Sequence, residues 1–137
     1  MLNRRVLERP QRVLIVDDSP DVRELWNLWL TFSGFAVEEA FDGADAVKKV
    51  RSFGPHLVLM DVWMPGLDGL RATEQLKADP VTANVPVLAV SADTYPPAPQ
   101  RALDAGCEAF LPKPMNPDRL LDEVRAALRR VIARRPH

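Results

Sequence analysis

The run Leu-Val-Leu-Met at residues 57–60, which leads without alternation into Asp61, constrains the fold more than any other feature. A strand that is covered on both faces of a parallel sheet has this continuous apolar pattern. Pro65, Gly66 and Gly69 then interrupt the chain, so we predict a buried strand that ends in a loop. Open sheets of this kind bind ligands just beyond the carboxyl ends of their strands, which makes Asp61 a candidate functional residue. By itself, an aspartate at this place also fits a turn former or a helix cap.

Strand and helix patterns alternate five times along the chain. The predicted strands cover residues 13–16, 35–40, 57–60, 85–92 and 108–114. A helix pattern follows each strand, and we expect the third helix over about residues 69–78. Strict alternation with short connections predicts an α/β fold with a doubly wound, five-stranded parallel sheet and helices on both faces.

The first predicted helix begins at the sequence Ser-Pro-Asp at 19–21, because serine caps helices and proline is favoured at their first position. Gly34 ends this helix. We expect four of its apolar residues on one inward stripe: Val22, Leu25, Trp29 and Phe32. Since Trp26 and Leu30 add further apolar surface, one of Trp26 and Trp29 is expected to be partly exposed.

Three prolines delimit the fourth helix. A proline is tolerated no deeper than the third position of a helix, so Pro99 requires the helix to begin at Pro97 or later. Pro97 also disfavours helical geometry at the residue before it, which suits Pro96 as a cap. We therefore expect an extended segment over residues 92–96 and a helix from about 97 to 105.

Composition excludes several classes of protein. The single cysteine, Cys107, rules out an internal disulfide and a cysteine-based metal cluster, and the presence of only two histidines disfavours a zinc site. We expect Cys107 to be a small packing residue. No apolar run approaches the roughly 20 residues of a membrane span, and the charged first ten residues lack a secretion core. We therefore expect a cytoplasmic protein with no membrane contact.

The net charge of −1 hides a division of charge along the chain. Residues 1–12 carry +3 and residues 119–137 carry +4, so the middle carries −8. Basic ends are compatible with nucleic-acid binding, but arginine near a helix carboxyl end is also favoured by the helix dipole. We expect no direct contact with nucleic acid.

The carboxyl ends of the predicted strands bring five polar residues to one edge of the sheet: Asp17, Asp18, Asp61, Ser91 and Lys113. Crowded carboxylates repel one another without a cation, and hard oxygen ligands suit Mg²⁺ or Mn²⁺. A carboxylate can also act as a nucleophile towards a phosphoryl group, which would then need a metal, an ammonium and a hydroxyl around it. Each residue alone also fits a structural role as a cap, a strand-end hydroxyl or a surface lysine.

Four motifs in order resemble the receiver domain of two-component response regulators. They are Val-Asp-Asp at 16–18, Met-Asp-Val-Trp-Met-Pro-Gly-Leu-Asp-Gly at 60–69, Ser-Ala at 91–92 and Leu-Pro-Lys-Pro at 111–114. The resemblance covers about residues 12–132 and implies a flavodoxin-like (βα)5 fold with strand order 2-1-3-4-5. In this respect the chain is similar to single-domain regulators of the chemotaxis type.

This resemblance implies that Asp61 accepts a phosphoryl group from a histidine kinase or a histidine phosphotransfer protein. Asp17 and Asp18 would hold Mg²⁺, or in its place Mn²⁺, together with Asp61 and the backbone carbonyl of Trp63. The protein would then signal to a downstream protein target and would be no enzyme beyond its own phosphorylation and dephosphorylation.

The resemblance also implies a switch. Ser91 would turn towards the phosphoryl group, Lys113 would pair with it, and the rotamer of Phe110 would follow Ser91. Receivers often carry threonine where this chain has Ser91, so the hydroxyl is retained but its rotamer is less constrained. Trp63 and Asp93, each two residues beyond a site residue, would tune the approach of water.

On this basis we divide the chain into a basic lead at 1–11, a receiver domain at 12–132 and a tail at 133–137. No output-domain pattern follows, which is compatible with a single-domain regulator or with a receiver from a longer protein.

Two other classes of protein share such an architecture, a binding module and an enzyme. A binding module that keeps the fold without phosphorylation could dispense with the acidic pair, the acceptor or the lysine, whereas this chain keeps all of them. A nucleotide-binding enzyme should show a glycine-rich loop after the first strand, where this chain has Asp-Asp-Ser-Pro at 17–20. A phosphatase with an aspartyl intermediate commonly has a second acid two residues after its nucleophile, where this chain has Trp63.

Overall fold

The computed structural model describes residues 9–62, 68–93 and 96–134. Its five strands are β1 (Arg12–Val16), β2 (Ala36–Ala40), β3 (Leu57–Asp61), β4 (Val87–Ser91) and β5 (Ala109–Pro112). Its five helices are α1 (Pro20–Phe32), α2 (Gly43–Phe53), α3 (Gly69–Ala78), α4 (Pro97–Ala105) and α5 (Pro117–Arg134). The predicted alternation is confirmed. None of the helices in these ranges is long and apolar enough to span a membrane.

The strands form one parallel sheet in the order β2-β1-β3-β4-β5. Strand order reverses beside β1, so the carboxyl ends of β1 and β3 border the crevice in which such sheets bind ligands. The doubly wound α/β fold and its predicted strand order are therefore confirmed.

The sheet separates two apolar layers. One lies under α1 and α5 and includes Ile15, Leu59 and Leu120, and the other lies under α2, α3 and α4 and includes Leu14, Met60 and Leu76. Every residue of β3 and β4 is buried, whereas the edge strand β2 is only partly buried. The continuous apolar run that ends at Asp61 is thus explained by helices on both faces.

Side-chain caps begin four of the described helices. Ser19, Asp42, Asp68 and Asn116 each accept a hydrogen bond from the backbone N–H three residues later, with N–O distances of 3.4, 2.8, 2.9 and 2.8 Å. Such caps satisfy N–H groups that have no partner within the helix. Each of these capping residues directly precedes the first residue of its helix, so these helices begin where the local sequence indicates.

The predicted inward stripe of α1 is wrong in part. Leu25 and Phe32 are 44% and 91% exposed, whereas Trp26 and Leu30 are buried. Residues 26 and 30 lie one above the other on a helix, and their row, rather than that of 25 and 32, packs onto the sheet. Trp29 is half-buried, so the expectation that one tryptophan is partly exposed is confirmed.

The boundaries of α4 and the position of Pro96 as its N-cap are confirmed, but the backbone geometry of Pro96 differs from the prediction. Pro96 has φ −48° and ψ −38°, which is helical rather than extended geometry. A following proline disfavours this conformation without forbidding it. Thr94 and Tyr95 lie outside the described residues. At the other end Gly106, with φ 108°, ends the helix in the left-handed region as its position predicts.

Candidate functional site

The carboxyl edge of the sheet brings together residues that are far apart in the chain. Asp17 follows β1, Asp61 ends β3 and Lys113 follows β5. The Lys113 ammonium donates to Oδ2 of Asp17 at 2.6 Å and to Oδ2 of Asp61 at 3.4 Å. Both carboxylates are buried, with 0% and 5% of their residue surface exposed. The predicted proximity of these three residues is observed.

Asp17 is held from several directions. Its Oδ1 accepts the backbone N–H of Ser19 at 2.9 Å, and its carbonyl oxygen accepts a hydrogen bond from Nη1 of Arg23 at 2.7 Å. Arg23 also donates from Nε to Oε1 of Glu39 on β2, at 3.2 Å. Ser19 therefore orients the Asp17 carboxylate with its backbone while its hydroxyl caps α1.

Asp17, Asp18 and Asp61 form an acidic cluster in which one carboxylate oxygen from each lies within 4.8 Å of the others. Asp18 is exposed, so the cluster opens to solvent on one side. Carboxylate oxygens without thiolate or imidazole are the ligands that Mg²⁺ and Mn²⁺ prefer. The donor set of this cluster therefore fits a hard divalent cation.

Lys113 is partly buried, and its pKa reflects opposing effects. Burial disfavours the charged form and lowers the pKa, but the hydrogen bond to Asp17 and the charge of Asp61 outweigh burial and raise it. The side chain is therefore an ammonium throughout the physiological range. It neutralises part of the charge of the acidic cluster.

Ser91 ends β4 and is buried. Its Oγ accepts the backbone N–H of Asp93 at 3.0 Å, and its carbonyl oxygen accepts the N–H of Lys113 at 2.9 Å. The second of these bonds ties the ends of β4 and β5 together. The backbone of Lys113 is thereby positioned by the same residue that offers a hydroxyl at the sheet edge.

Phe110 lies on β5 opposite Ala89 of β4. Because side chains alternate along a strand, Phe110 shares the α2–α4 face of the sheet with Ala89 and Ser91. Phe110 is half-buried and packs against the apolar layer there. Asp93 is exposed beyond the end of β4. Trp63 lies outside the described residues, so the structure leaves its predicted ligand and tuning roles as expectations.

Sequence reasoning missed one contact. The Lys113 Nζ lies 5.7 Å from the centroid of the Trp26 ring. Trp26 lies on α1, and the misassigned helix stripe gave no sign that its indole would face the site. By contrast, the sequence did carry a signal for the close approach of Gly69 to the backbone of Asp61, because a glycine is favoured where two backbone segments approach closely.

Comparison with known proteins agrees with this geometry. Residues 13–125 match the response regulator receiver domain family. Response regulator MprA of Mycolicibacterium vanbaalenii is 40% identical over 121 residues, which make up 88% of this chain and 52% of MprA. The chain thus spans about half the length of this relative.

Solved structures of similar size share the fold. Chemotaxis protein CheY4 of Vibrio cholerae is 29% identical, with a TM-score of 0.81 over 85% of this chain and 98% of CheY4. A CheY-like receiver domain protein from Methanospirillum hungatei is 25% identical, with a TM-score of 0.84 over 90% of this chain and 98% of that protein. The matched family, the sheet topology and the acidic cluster together show that this chain belongs to the response regulator receiver domains of two-component signalling.

Proposed function

We propose that the chain accepts a phosphoryl group on Asp61 from a histidine kinase or a histidine phosphotransfer protein. The observation that carries this proposal is the Lys113 ammonium, which lies within hydrogen-bonding distance of both Asp17 and Asp61. A buried carboxylate at the carboxyl edge of a parallel sheet can act as a nucleophile, and here an ammonium already offsets part of its negative charge.

In the proposed transfer, a carboxylate oxygen of Asp61 attacks phosphorus as the bond from phosphorus to the donor's imidazole nitrogen breaks. The electron pair of that bond stays on the imidazole, and no proton leaves Asp61 because it reacts as the carboxylate. Lys113 pairs with the oxygens of the transferred group and offsets their charge. Hydrolysis later returns Asp61 to the carboxylate and releases phosphate.

The proposed metal ligands are the carboxylates of Asp17, Asp18 and Asp61 with the carbonyl of Trp63. A bound Mg²⁺, or Mn²⁺ in its place, would supply positive charge to the phosphoryl oxygens. Asp17 is suited to this role because Ser19 and Arg23 already fix its position. Asp18 is suited because it is exposed and can bind a cation that arrives from solvent.

We further propose that Ser91 and Phe110 carry the switch. Ser91 would exchange its bond from the Asp93 N–H for one to the phosphoryl group, with its hydroxyl donating. Phe110 shares a sheet face with Ser91 and is only half-buried, so its ring has room to follow. The consequence would be a changed surface around α4, β5 and α5 for a downstream protein target, with no direct nucleic-acid contact.

The remaining features of the proposal concern the whole protein. We assign residues 12–132 to the receiver, 1–11 to a basic lead and 133–137 to a tail, in a cytoplasmic setting. Its chemistry would be limited to its own phosphorylation and dephosphorylation. The chain matches only about half of MprA, so the downstream output that the whole protein controls is also part of this proposal.

The test is mass spectrometry after incubation with acetyl phosphate and Mg²⁺. The parent chain should gain one phosphoryl group, and Asp61→Asn should gain none. Asp104→Asn, which changes an exposed carboxylate on α4, is the matched control and should be labelled like the parent. An adduct that is stable in acid or independent of Asp61 would mean that another residue is the phosphoacceptor. The absence of any adduct in the parent would favour the alternative of a binding module.

A further inference from the structure

Among the described residues, the Lys113 ammonium contacts three groups, and one of them is aromatic. Its Nζ lies 2.6 Å from Asp17, 3.4 Å from Asp61 and 5.7 Å from the centroid of the Trp26 ring. Trp26 is 4% exposed and packs within the apolar layer under α1 and α5. The indole is therefore a fixed surface against which the ammonium rests.

The indole adds a third constraint on the lysine ammonium. That charge sits at the end of a flexible four-carbon stem, so each further contact restricts the positions that it can occupy. The face of an indole attracts a cation through its negative potential, and the attraction strengthens when the pair is withdrawn from water. Unlike a hydrogen bond to one oxygen, this attraction tolerates small lateral shifts of the ammonium.

We propose that Trp26 is a positioning residue for Lys113. Its indole face keeps the ammonium at the acidic cluster while the ammonium redistributes from Asp17 towards the oxygens on Asp61. The shorter bond is the one to Asp17, so pairing with a phosphoryl group on Asp61 requires such a redistribution. This inference rests on the proposed phosphoacceptor function, and it assigns a role to a residue on α1 that contacts no reacting atom.

The first test needs no phosphorylation. Urea unfolding of the parent, Trp26→Leu, Lys113→Met and the double variant forms a double-mutant cycle. We expect the two changes to couple by about three- to thirtyfold in the unfolding equilibrium constant, the range of a partly to fully desolvated cation–π pair. Trp29→Leu is the matched control, because it makes the same change one turn along α1. Its cycle with Lys113→Met should be additive to within about twofold.

The second test separates the π face from simple packing and avoids a variant that fails to fold. In a Trp29→Phe/Trp63→Phe background, Trp26 is the sole tryptophan and can be replaced by 5-fluorotryptophan or 5,7-difluorotryptophan. Fluorine withdraws electron density from the ring and barely changes its volume. The coupling to Lys113 should fall stepwise with fluorination. Coupling that stays constant, or that equals the Trp29 control, would overturn the proposal.

The third test measures the effect of Trp26 on the rate of phosphorylation. Trp26→Leu should slow labelling by acetyl phosphate about three- to thirtyfold, and Trp26→Phe should recover part of that rate. In a Lys113→Met background, neither change at Trp26 should alter the rate of labelling. Equal slowing in both backgrounds would mean a merely structural role. If the parent is never labelled, the proposed phosphoacceptor function fails, and the unfolding cycles still decide whether Trp26 positions Lys113.

Discussion

A β-carbon on Gly69 would lie 2.2 Å from the backbone carbonyl oxygen of Asp61. It would also lie 2.7 Å from the Cα of Val62. Both neighbours are backbone atoms, which cannot rotate away as a side chain can. The first residue of α3 therefore packs directly against the end of β3, where the candidate acceptor is located.

From this contact we predict that Gly69→Ala destabilises the fold by about 1–3 kcal/mol, as for other overpacked sites, and slows labelling of Asp61. Gly34→Ala is the control. Gly34 has φ 98° and open space around a β-carbon, so its change should cost about 1–2 kcal/mol of backbone strain and leave labelling unchanged. Urea unfolding and labelling rates measure both effects. A Gly69→Ala chain with the parent's stability and rate would disprove the close contact.

The acidic cluster predicts weaker metal binding when Asp18 is replaced. Loss of groups that merely support a metal ligand costs roughly 10–100-fold in affinity, so Asp18→Ala should weaken Mg²⁺ binding by at least about tenfold. Isothermal titration calorimetry at constant ionic strength measures this. Asp21→Ala removes an exposed carboxylate of α1 outside the cluster and controls for net charge. Equal Mg²⁺ affinity in both variants would contradict the role of Asp18.

Trp63 stands two residues after the proposed acceptor, which predicts an effect on phosphoryl lifetime. A bulky indole beside the phosphoryl group cannot orient a water molecule for attack, whereas an amide can. Trp63→Asn should therefore shorten the lifetime of the phosphorylated chain, measured as decay of the labelled species after the donor is removed. Trp63→Phe keeps an apolar ring and should decay like the parent. If all three decay alike, Trp63 does not control hydrolysis.

Cys107 should be unreactive in the folded chain. It is 6% exposed, and burial raises the pKa of its thiol from 9.0 to about 11. At pH 8 we expect slow modification by a disulfide reagent and rapid modification after unfolding, because the thiolate is the nucleophile.

The same pKa predicts a dependence of stability on pH. Between about pH 9 and 11 the unfolded thiol loses its proton while the folded thiol keeps it, so stability is intact below pH 9 and falls as pH rises. The fall attributable to Cys107 should be about 2 kcal/mol, obtained as the difference between the parent and Cys107→Ala. Parallel pH curves for the two proteins would refute the shifted pKa.

Local sequence patterns determined the elements and their order. The apolar run at 57–60 can be satisfied only where both faces of a strand are covered, and the prolines at 97 and 99 restrict where α4 can begin. Parallel strands then place their carboxyl ends at one edge, so Asp17, Asp61 and Lys113 could be assigned to one site from the sequence alone.

Only the tertiary structure decided how these groups meet. Helical periodicity marks which residues of α1 are apolar, but the rotation of α1 about its axis depends on how its side chains fit the sheet. That fit buries Trp26 and exposes Phe32. Likewise, the closer approach of Lys113 to Asp17 than to Asp61 results from contacts across 96 and 52 positions of sequence. Such distances are set by the packing of the whole sheet edge, which no local pattern records.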